Sequence, residues 1–289
     1  MKTTLALVRH GVTEWNYSGR AQGHVDIPLS AEGHHQAELV AQSLANESWD
    51  AIYASDLSRA RQTAEAIGRA LDLPVKTDPR LRERFMGQAE GMTHWDRNDR
   101  WPGLTFMELP EVEQDDLLAE RSVAAVQALA EQHAGERLIC VAHGAFIHLF
   151  LEAVAPDSGY GWRQRNTAIT VVEWDGAQFQ IVRPPDFAHL YRDGVEYTGE
   201  KNRIRPALVA ELLGDTCTVG IAEAILQHAT AVEGAWSSDD QFVGFARAFT
   251  DGVRFGHIDI LATAPGFDHV QAILVERLQT RYPNVTFTR

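Results

Sequence analysis

Residues Thr4–Val8 (TLALV) form a short, uninterrupted apolar run that stops abruptly at Arg9-His10-Gly11. Such a run suits a strand buried on both faces, as in a parallel sheet covered by helices. Its carboxyl end therefore delivers an arginine, a histidine and a glycine to one spot. The pattern returns at Trp49–Ala54, which leads into Ser55-Asp56, and at Arg137–Ala142 (RLICVA), which leads into His143-Gly144.

Helical patterns fill the intervals. Ser30 is placed to N-cap a helix through Ala37, Val40, Ala41 and Leu44. Further helices are expected over Ser58–Leu71, over Val112–Gln132 ending at Gly135, and over Ala145–Ala155. Ala168–Trp174 and Gln178–Val182, separated by Asp175-Gly176-Ala177, read as a hairpin. Strands and helices in alternation predict an α/β fold: an open, mostly parallel sheet with helices on both faces, whose ligands sit outside the carboxyl ends of strands.

After the hairpin come Pro184-Pro185, Arg192-Asp193-Gly194 and Gly199-Glu200-Lys201-Asn202, a turn-rich passage that places a domain boundary near Gly199. The expected division is residues 1–199 and 200–289, the second a small α/β or α+β domain. In the latter, Ser238-Asp239-Asp240-Gln241 has capping-box form, and Phe242, Phe245 and Phe249 follow at helical spacing until Gly252. Ile258–Ala262, Phe267–Thr280 and Val285–Thr288 then read as strand, helix and strand.

The chain of 289 residues carries a net charge of −14, which argues against nucleic acid or an anionic membrane as partner, because both need a basic field. Any anionic ligand must be met by arginines gathered locally. Two cysteines, Cys140 and Cys217, make neither a disulfide framework nor a zinc site, and no secretory leader or membrane-spanning window is visible. A cytoplasmic protein is the expectation.

At the end of a buried strand, Arg9 offers a guanidinium for bidentate phosphate contact, His10 an imidazole, and Gly11 room for a ligand to approach. Alone the triplet is a weak signal, since a histidine at a strand end is more often structural. Its context is specific: LVRHGVTEWNYSGRAQGHVDIPLSAEGHHQA at Leu7–Ala37, SDLSRARQTA at Ser55–Ala64, LRERFMGQAEG at Leu81–Gly91 and VAHGAFI at Val141–Ile147. These ordered motifs resemble the histidine phosphatase superfamily, with its phosphoglycerate-mutase-like fold, over about the first 190 residues.

The resemblance implies a metal-independent phosphomonoester hydrolase acting through a phosphohistidine on a small phosphorylated metabolite, without cofactor. His10 is then the nucleophile, Arg9 and Arg59 clamp the phosphate, His143 is the second histidine of the pocket, and Glu83 is the proton donor. Asn16 resembles the family's phosphate-contacting amide.

Physical chemistry supports these assignments. Fixed donors stabilise the charge spread over a transferring phosphoryl group. The nucleophile must be neutral with its second nitrogen protonated, and a carbonyl near Gly11 is the expected acceptor. His143, facing a dianion, is expected to be protonated. For Glu83 the competing reading is a surface ion pair with Arg82 or Arg84.

Arg20, Gln22 and Gly23 are expected near the phosphate entrance, whereas Arg61 and Arg84 serve equally well as partners of surplus carboxylates. His34, His35 and His148 read as structural or exposed. Ala89 stands where many phosphatase-type members carry an aromatic residue, and Met86, Trp95, Trp101 and Phe106 are candidates to compensate. The alternatives are a cofactor-dependent mutase, disfavoured because Gly91–Glu120 holds only Arg97 and Arg100 as Lys or Arg, and a non-catalytic phosphate-binding module that presents the tail. For residues 200–289, a dimerisation surface giving a homo-oligomer, a lid and a separate binding domain all remain open.

Overall fold

The computed structural model describes residues 1–160, 164–191, 195–199, 203–214, 217–239, 241–250 and 255–288. Arg192–Gly194, Glu200–Asn202, Asp240 and Gly252, on which parts of the turn and capping expectations fall, lie outside them. Contacts divide the chain into two compact units, one of Met1–Trp15 with Arg20–His189, the other of Asn16–Gly19 with Leu190–Arg289.

The first unit runs β1 (Thr3–Arg9), α1 (Glu14–Ser18), α2 (Ala31–Leu44), β2 (Ala51–Ala54), α3 (Ser58–Leu71), β3 (Val75–Thr77), α4 (His94–Arg100), α5 (Asp115–Gln132), β4 (Arg137–Ala142), α6 (Gly144–Val154), β5 (Ile169–Trp174) and β6 (Phe179–Asp186). Residues 16–18 of α1 group with the second unit. The sheet order is β3-β2-β4-β1-β5-β6, parallel from β3 to β1, with β5 and β6 added antiparallel. The sequence expectation of an open, mostly parallel sheet holds.

Alternate residues of the buried strands enter different cores. Ala6, Val8, Ile52, Ala54, Ile139 and Val141 pack with α2 and α3 through Val40, Leu44, Ala64 and Ile67. Leu5, Leu7, Tyr53, Leu138 and Cys140 pack with α5 and α6 through Leu118, Val126, Phe146 and Phe150. Neighbouring strands β1 and β4 are thus followed by helices on opposite faces, which opens a crevice at their carboxyl ends. In that register Arg9 lies opposite Ala142, and His10 N–H donates to Ala142 O at 3.0 Å, so His10 and His143 emerge side by side.

The second unit contains β7 (Val195–Thr198), α7 (Pro206–Leu213), α8 (Val219–His228), β8 (Ala231–Ser237), β9 (Phe242–Thr250), β10 (Phe255–Thr263), α9 (His269–Arg281) and β11 (Thr286–Thr288). Its sheet order is β11-β10-β9-β8-β7, with β10 and β11 parallel around α9, as the strand-helix-strand reading anticipated. Because β7 joins this sheet, the division falls between His189 and Leu190, ahead of the boundary expected near Gly199.

A second correction concerns Phe242, Phe245 and Phe249, which lie in β9 and not in a helix. Apolar cores cover both faces of β8 and β9, one formed with α9 and one with α7 and α8. Strands buried on both sides show no period of two, and their phenylalanines matched a helical template by coincidence. No helix among the described residues is long and apolar enough to cross a membrane.

Candidate active site

His10 follows β1 and is almost completely buried. Its Nδ1 lies 2.6 Å from Gly11 O, and because a carbonyl only accepts, Nδ1 must carry the proton. The lone pair is therefore on Nε2. Burial, and then the charges of Arg59 and Arg9, push the His10 pKa well below the usual histidine value, so the ring is neutral at physiological pH. Gly11 allows a close approach between this loop and α2, since a Cβ there would sit 2.5 Å from Gly33 O.

His143 is the N-cap residue of α6, yet its side chain makes no capping bond. Its ring centroid is 5.1 Å from that of His10. Both ring nitrogens are buried with no protein partner among the described residues. Burial, followed by Arg59, His10 and Arg9, lowers the His143 pKa well below its ordinary value. In the ligand-free protein the ring is therefore neutral and carries one N–H donor, whereas the expectation of a protonated His143 concerns the pocket with a phosphate dianion in it.

Arg59 comes from the first turn of α3 and is fully buried. Its terminal nitrogens donate to Val25 O at 2.9 Å and Gly23 O at 2.7 Å, while Nε has no partner among the described residues. Burial brings its pKa down to about 10, which leaves it charged. Arg9 donates to Gln164 O at 2.6 Å, and its guanidinium stem passes so near Gly144 that a Cβ there would meet Nε at 3.3 Å.

Glu83 is 9% exposed and makes no ion pair with its neighbours. Arg82 pairs with Asp56 at 2.6 Å and Arg84 with Asp115 at 2.5 Å, which removes the competing surface reading. Glu83 instead accepts from the backbone N–H groups of Phe146 at 3.2 Å, Ala145 at 3.3 Å and Arg84 at 2.9 Å. It supplies the cap that His143 does not, tying its carboxylate to the amino end of α6. Its own carbonyl is held by His24 Nε2 at 2.8 Å and Arg121 at 3.1 Å.

Of the entrance residues, Gln22 is buried and accepts from Thr13 Oγ1 at 3.0 Å. Gly23 has φ +51°, and a Cβ there would lie 2.1 Å from Glu90 Oε1, so both backbone and space demand glycine. Arg20 is exposed and turned to Gly91 O at 2.6 Å and Asp96 at 3.6 Å. Arg61 forms an exposed pair with Glu65. Asn16 is buried in α1, in the stretch that groups with the second unit. His34 and His35 are exposed. Ala89 is fully buried against Leu109 and Val112, and Trp101, Phe106 and Met107 pack on that cluster, so two of the candidate aromatics do fill in around it. Cys140 is buried with its pKa pushed up to about 12, an inert thiol.

His24, Thr63, Arg121 and Asn166 were not singled out from sequence. Their only signal is contact across the fold, which a linear pattern does not carry.

The arrangement is a neutral imidazole of defined tautomer, a second neutral imidazole, two guanidinium groups and an anchored carboxyl at a topological switch point. A family model for the histidine phosphatase superfamily (branch 1) matches residues 5–186. The chain is 32% identical over 215 residues to a metal-independent phosphoserine phosphatase of Arabidopsis thaliana, covering 71% of this chain and 90% of that one. It is 36% identical over 201 residues to a probable phosphoglycerate mutase, GpmB, of Yersinia enterocolitica, covering 64% and 93%. Among solved structures it is similar to a phosphoserine phosphatase variant from Entamoeba histolytica in complex with phosphoserine, with a TM-score of 0.56 and 27% identity over 65% of this chain and all of that one. Motif, fold and comparison agree, and the chain belongs to the histidine phosphatase superfamily, branch 1.

Proposed function

We propose that the protein hydrolyses phosphomonoesters of small metabolites through a phosphohistidine at His10, without metal or organic cofactor. The observation that carries this reading is His10 Nε2, deprotonated by the Nδ1–Gly11 bond and next to buried nitrogens of His143 and Arg59 that no group among the described residues satisfies. A buried donor without a protein partner is costly, and a phosphate oxygen satisfies it.

In the first half-reaction Nε2 attacks phosphorus and the bond to the ester oxygen breaks. Glu83 in its acid form gives its proton to the departing alkoxide, a contribution on the order of 10²- to 10⁴-fold. Arg9, Arg59 and His143 hold the equatorial oxygens as charge spreads over them. Gly11 O stabilises the positive charge that develops on the ring through Nδ1–H. In the second half Glu83 takes a proton from water, the water oxygen attacks phosphorus, the N–P bond breaks and the neutral imidazole returns.

Hydrolysis is favoured over mutase chemistry by the state of Arg97 and Arg100. Arg97 donates to Met92 O at 2.8 Å and lies over Phe106, and Arg100 lies over Trp101. Neither is set aside for a substrate carboxylate. The names of the relatives support a small phosphorylated metabolite as the substrate class. The five chemical groups lie in the first unit, and we assign the activity to it, in a cytoplasmic protein.

The test is inorganic phosphate release by the full-length protein across a panel of phosphomonoesters, beside His10→Ala. The reading predicts release that depends on His10. Isomerised phosphoester without free phosphate would instead indicate a mutase, and no turnover on any ester a binding module.

A further inference from the structure

The peptide joining His10 to Gly11 is gripped at both ends by side chains distant in sequence. Its carbonyl accepts from Asn166 Nδ2 at 2.8 Å, and its N–H donates to Thr63 Oγ1 at 3.0 Å. The Thr63 hydroxyl spends its own hydrogen on Arg59 O at 2.8 Å, so a lone pair is what the Gly11 N–H meets. Both residues are buried, Asn166 at 1% and Thr63 at 0% exposure. The next carbonyl along the chain is Gly11 O, the group that holds the proton of His10 on Nδ1. The 10–11 peptide thus fixes one side of Gly11, and the 11–12 peptide that carries this acceptor is held on the other by Val12 N–H donating to Gln36 Oε1 at 3.0 Å.

The segment that carries Asn166 is itself bound to the strand end. Arg9 N–H donates to Ala168 O at 3.2 Å and Thr167 N–H to Arg9 O at 2.9 Å, while the Arg9 guanidinium reaches Gln164 O. Thr167 adopts φ +58°, an unfavourable conformation for a β-branched residue, of the kind that persists only where its surroundings over-determine it. One segment thus meets the Arg9 side chain and backbone and the His10 carbonyl.

We propose that Thr63 and Asn166 are positioning residues that hold His10 in its attacking tautomer and aim Nε2, acting through the 10–11 peptide and Gly11 O. The proposal rests on His10 as nucleophile. A purely structural reading is that two buried backbone groups simply need partners. The two readings differ in what happens to the imidazole.

The experiment uses full-length protein labelled with 15N-histidine, in which the ring nitrogen shifts of His10, assigned by difference with His10→Ala, report its tautomer without substrate. Turnover of p-nitrophenyl phosphate is measured in parallel. In the parent protein His10 is expected as the Nδ1–H form. Thr63→Val, which removes the hydroxyl at nearly constant volume, and Asn166→Asp, which removes the donor, are expected to mix the tautomers. Both should lower kcat about ten- to a hundredfold with KM nearly unchanged, the scale of a misaimed reacting atom. Thr63→Ser keeps the hydroxyl and is expected to restore tautomer and kcat.

Folded Thr63→Val and Asn166→Asp proteins with the parent tautomer and kcat would overturn the proposal, as would a Thr63→Ser protein as impaired as Thr63→Val. If Thr63→Val does not fold, Asn166→Asp and Thr63→Ser decide. A parent protein that shows the Nδ1–H tautomer but hydrolyses nothing would count against the phosphatase reading, whereas parent turnover with tautomer-insensitive variants would count against the positioning role alone.

Discussion

The imidazoles of His10 and His143 stand 5.1 Å apart between ring centroids, tilted by 59°, and burial with two nearby arginines keeps both below the usual histidine pKa. The pair is neutral where an exposed pair would be half charged. For catalysis, the acid limb of kcat/KM set by His10 is expected below pH 6.5. A pH–rate profile on p-nitrophenyl phosphate checks this, and an acid limb at or above 6.5 would count against it.

The same shifts bear on stability. The unfolded chain takes up protons on these histidines near pH 6.5, while the folded chain does not until lower pH. Unfolding therefore costs more free energy above pH 6.5, and stability is lost as pH falls below it toward the folded pKa values. The loss is up to about 1.4 kcal/mol per histidine for each pH unit in that window. Denaturant midpoints should fall more shallowly below pH 6.5 in His143→Gln than in the parent protein.

Glu83 caps α6 and is placed as acid, and the two roles separate in Glu83→Gln. The amide retains one acceptor oxygen, so the stability cost should be about 1 kcal/mol. Turnover of alkyl phosphates should fall by roughly 10²- to 10⁴-fold, since their leaving groups need a proton. A p-nitrophenyl ester, with a better leaving group, should lose much less. Equal losses on both substrates would mean that Glu83 acts only through structure.

Arg59 ties the first turn of α3 to the loop between α1 and α2 through Gly23 O and Val25 O. Lysine cannot reproduce the planar fork, so Arg59→Lys should leave at least one buried carbonyl unsatisfied, at about 1–3 kcal/mol. It should also weaken inhibition by inorganic phosphate or vanadate. Thermal melts with and without vanadate test both effects, and parent-like behaviour in both would contradict them.

Gly23→Ala should destabilise more than Gly103→Ala. Both glycines have positive φ, but only Gly23 would drive its new methyl into Glu90, whereas the space around Gly103 is open. The left-handed backbone alone costs on the order of 1 kcal/mol, which Gly103→Ala measures. The excess at Gly23 reports the packing beneath the Arg59 clamp.

Much of this molecule is legible in its sequence because the first unit uses strands buried on both faces. Apolar runs ending at Arg9-His10 and at Ala142-His143 announce both their burial and the polar groups at their ends. The same burial misled in β9, where Phe242, Phe245 and Phe249 mimic a helix. The carboxyl cap of Glu83 on α6 joins residues 62 and 63 positions apart, and the Asn166–His10 bond spans 156. Such contacts depend on strand order, which local pattern does not encode. The lowered pKa of His143 is likewise not legible in the sequence, because its burial beside Arg59 and Arg9 exists only in the folded chain.

The most direct test is chemical trapping of the intermediate. Full-length protein is mixed with phosphorus-labelled substrate, quenched in alkali within the first turnovers, and its peptides are searched for acid-labile, alkali-stable phosphate. Phosphate on the peptide that contains His10, formed and lost fast enough to account for kcat and absent from His10→Ala, is the predicted result. Turnover without a phosphohistidine, or a label that persists in His10→Ala, would contradict it.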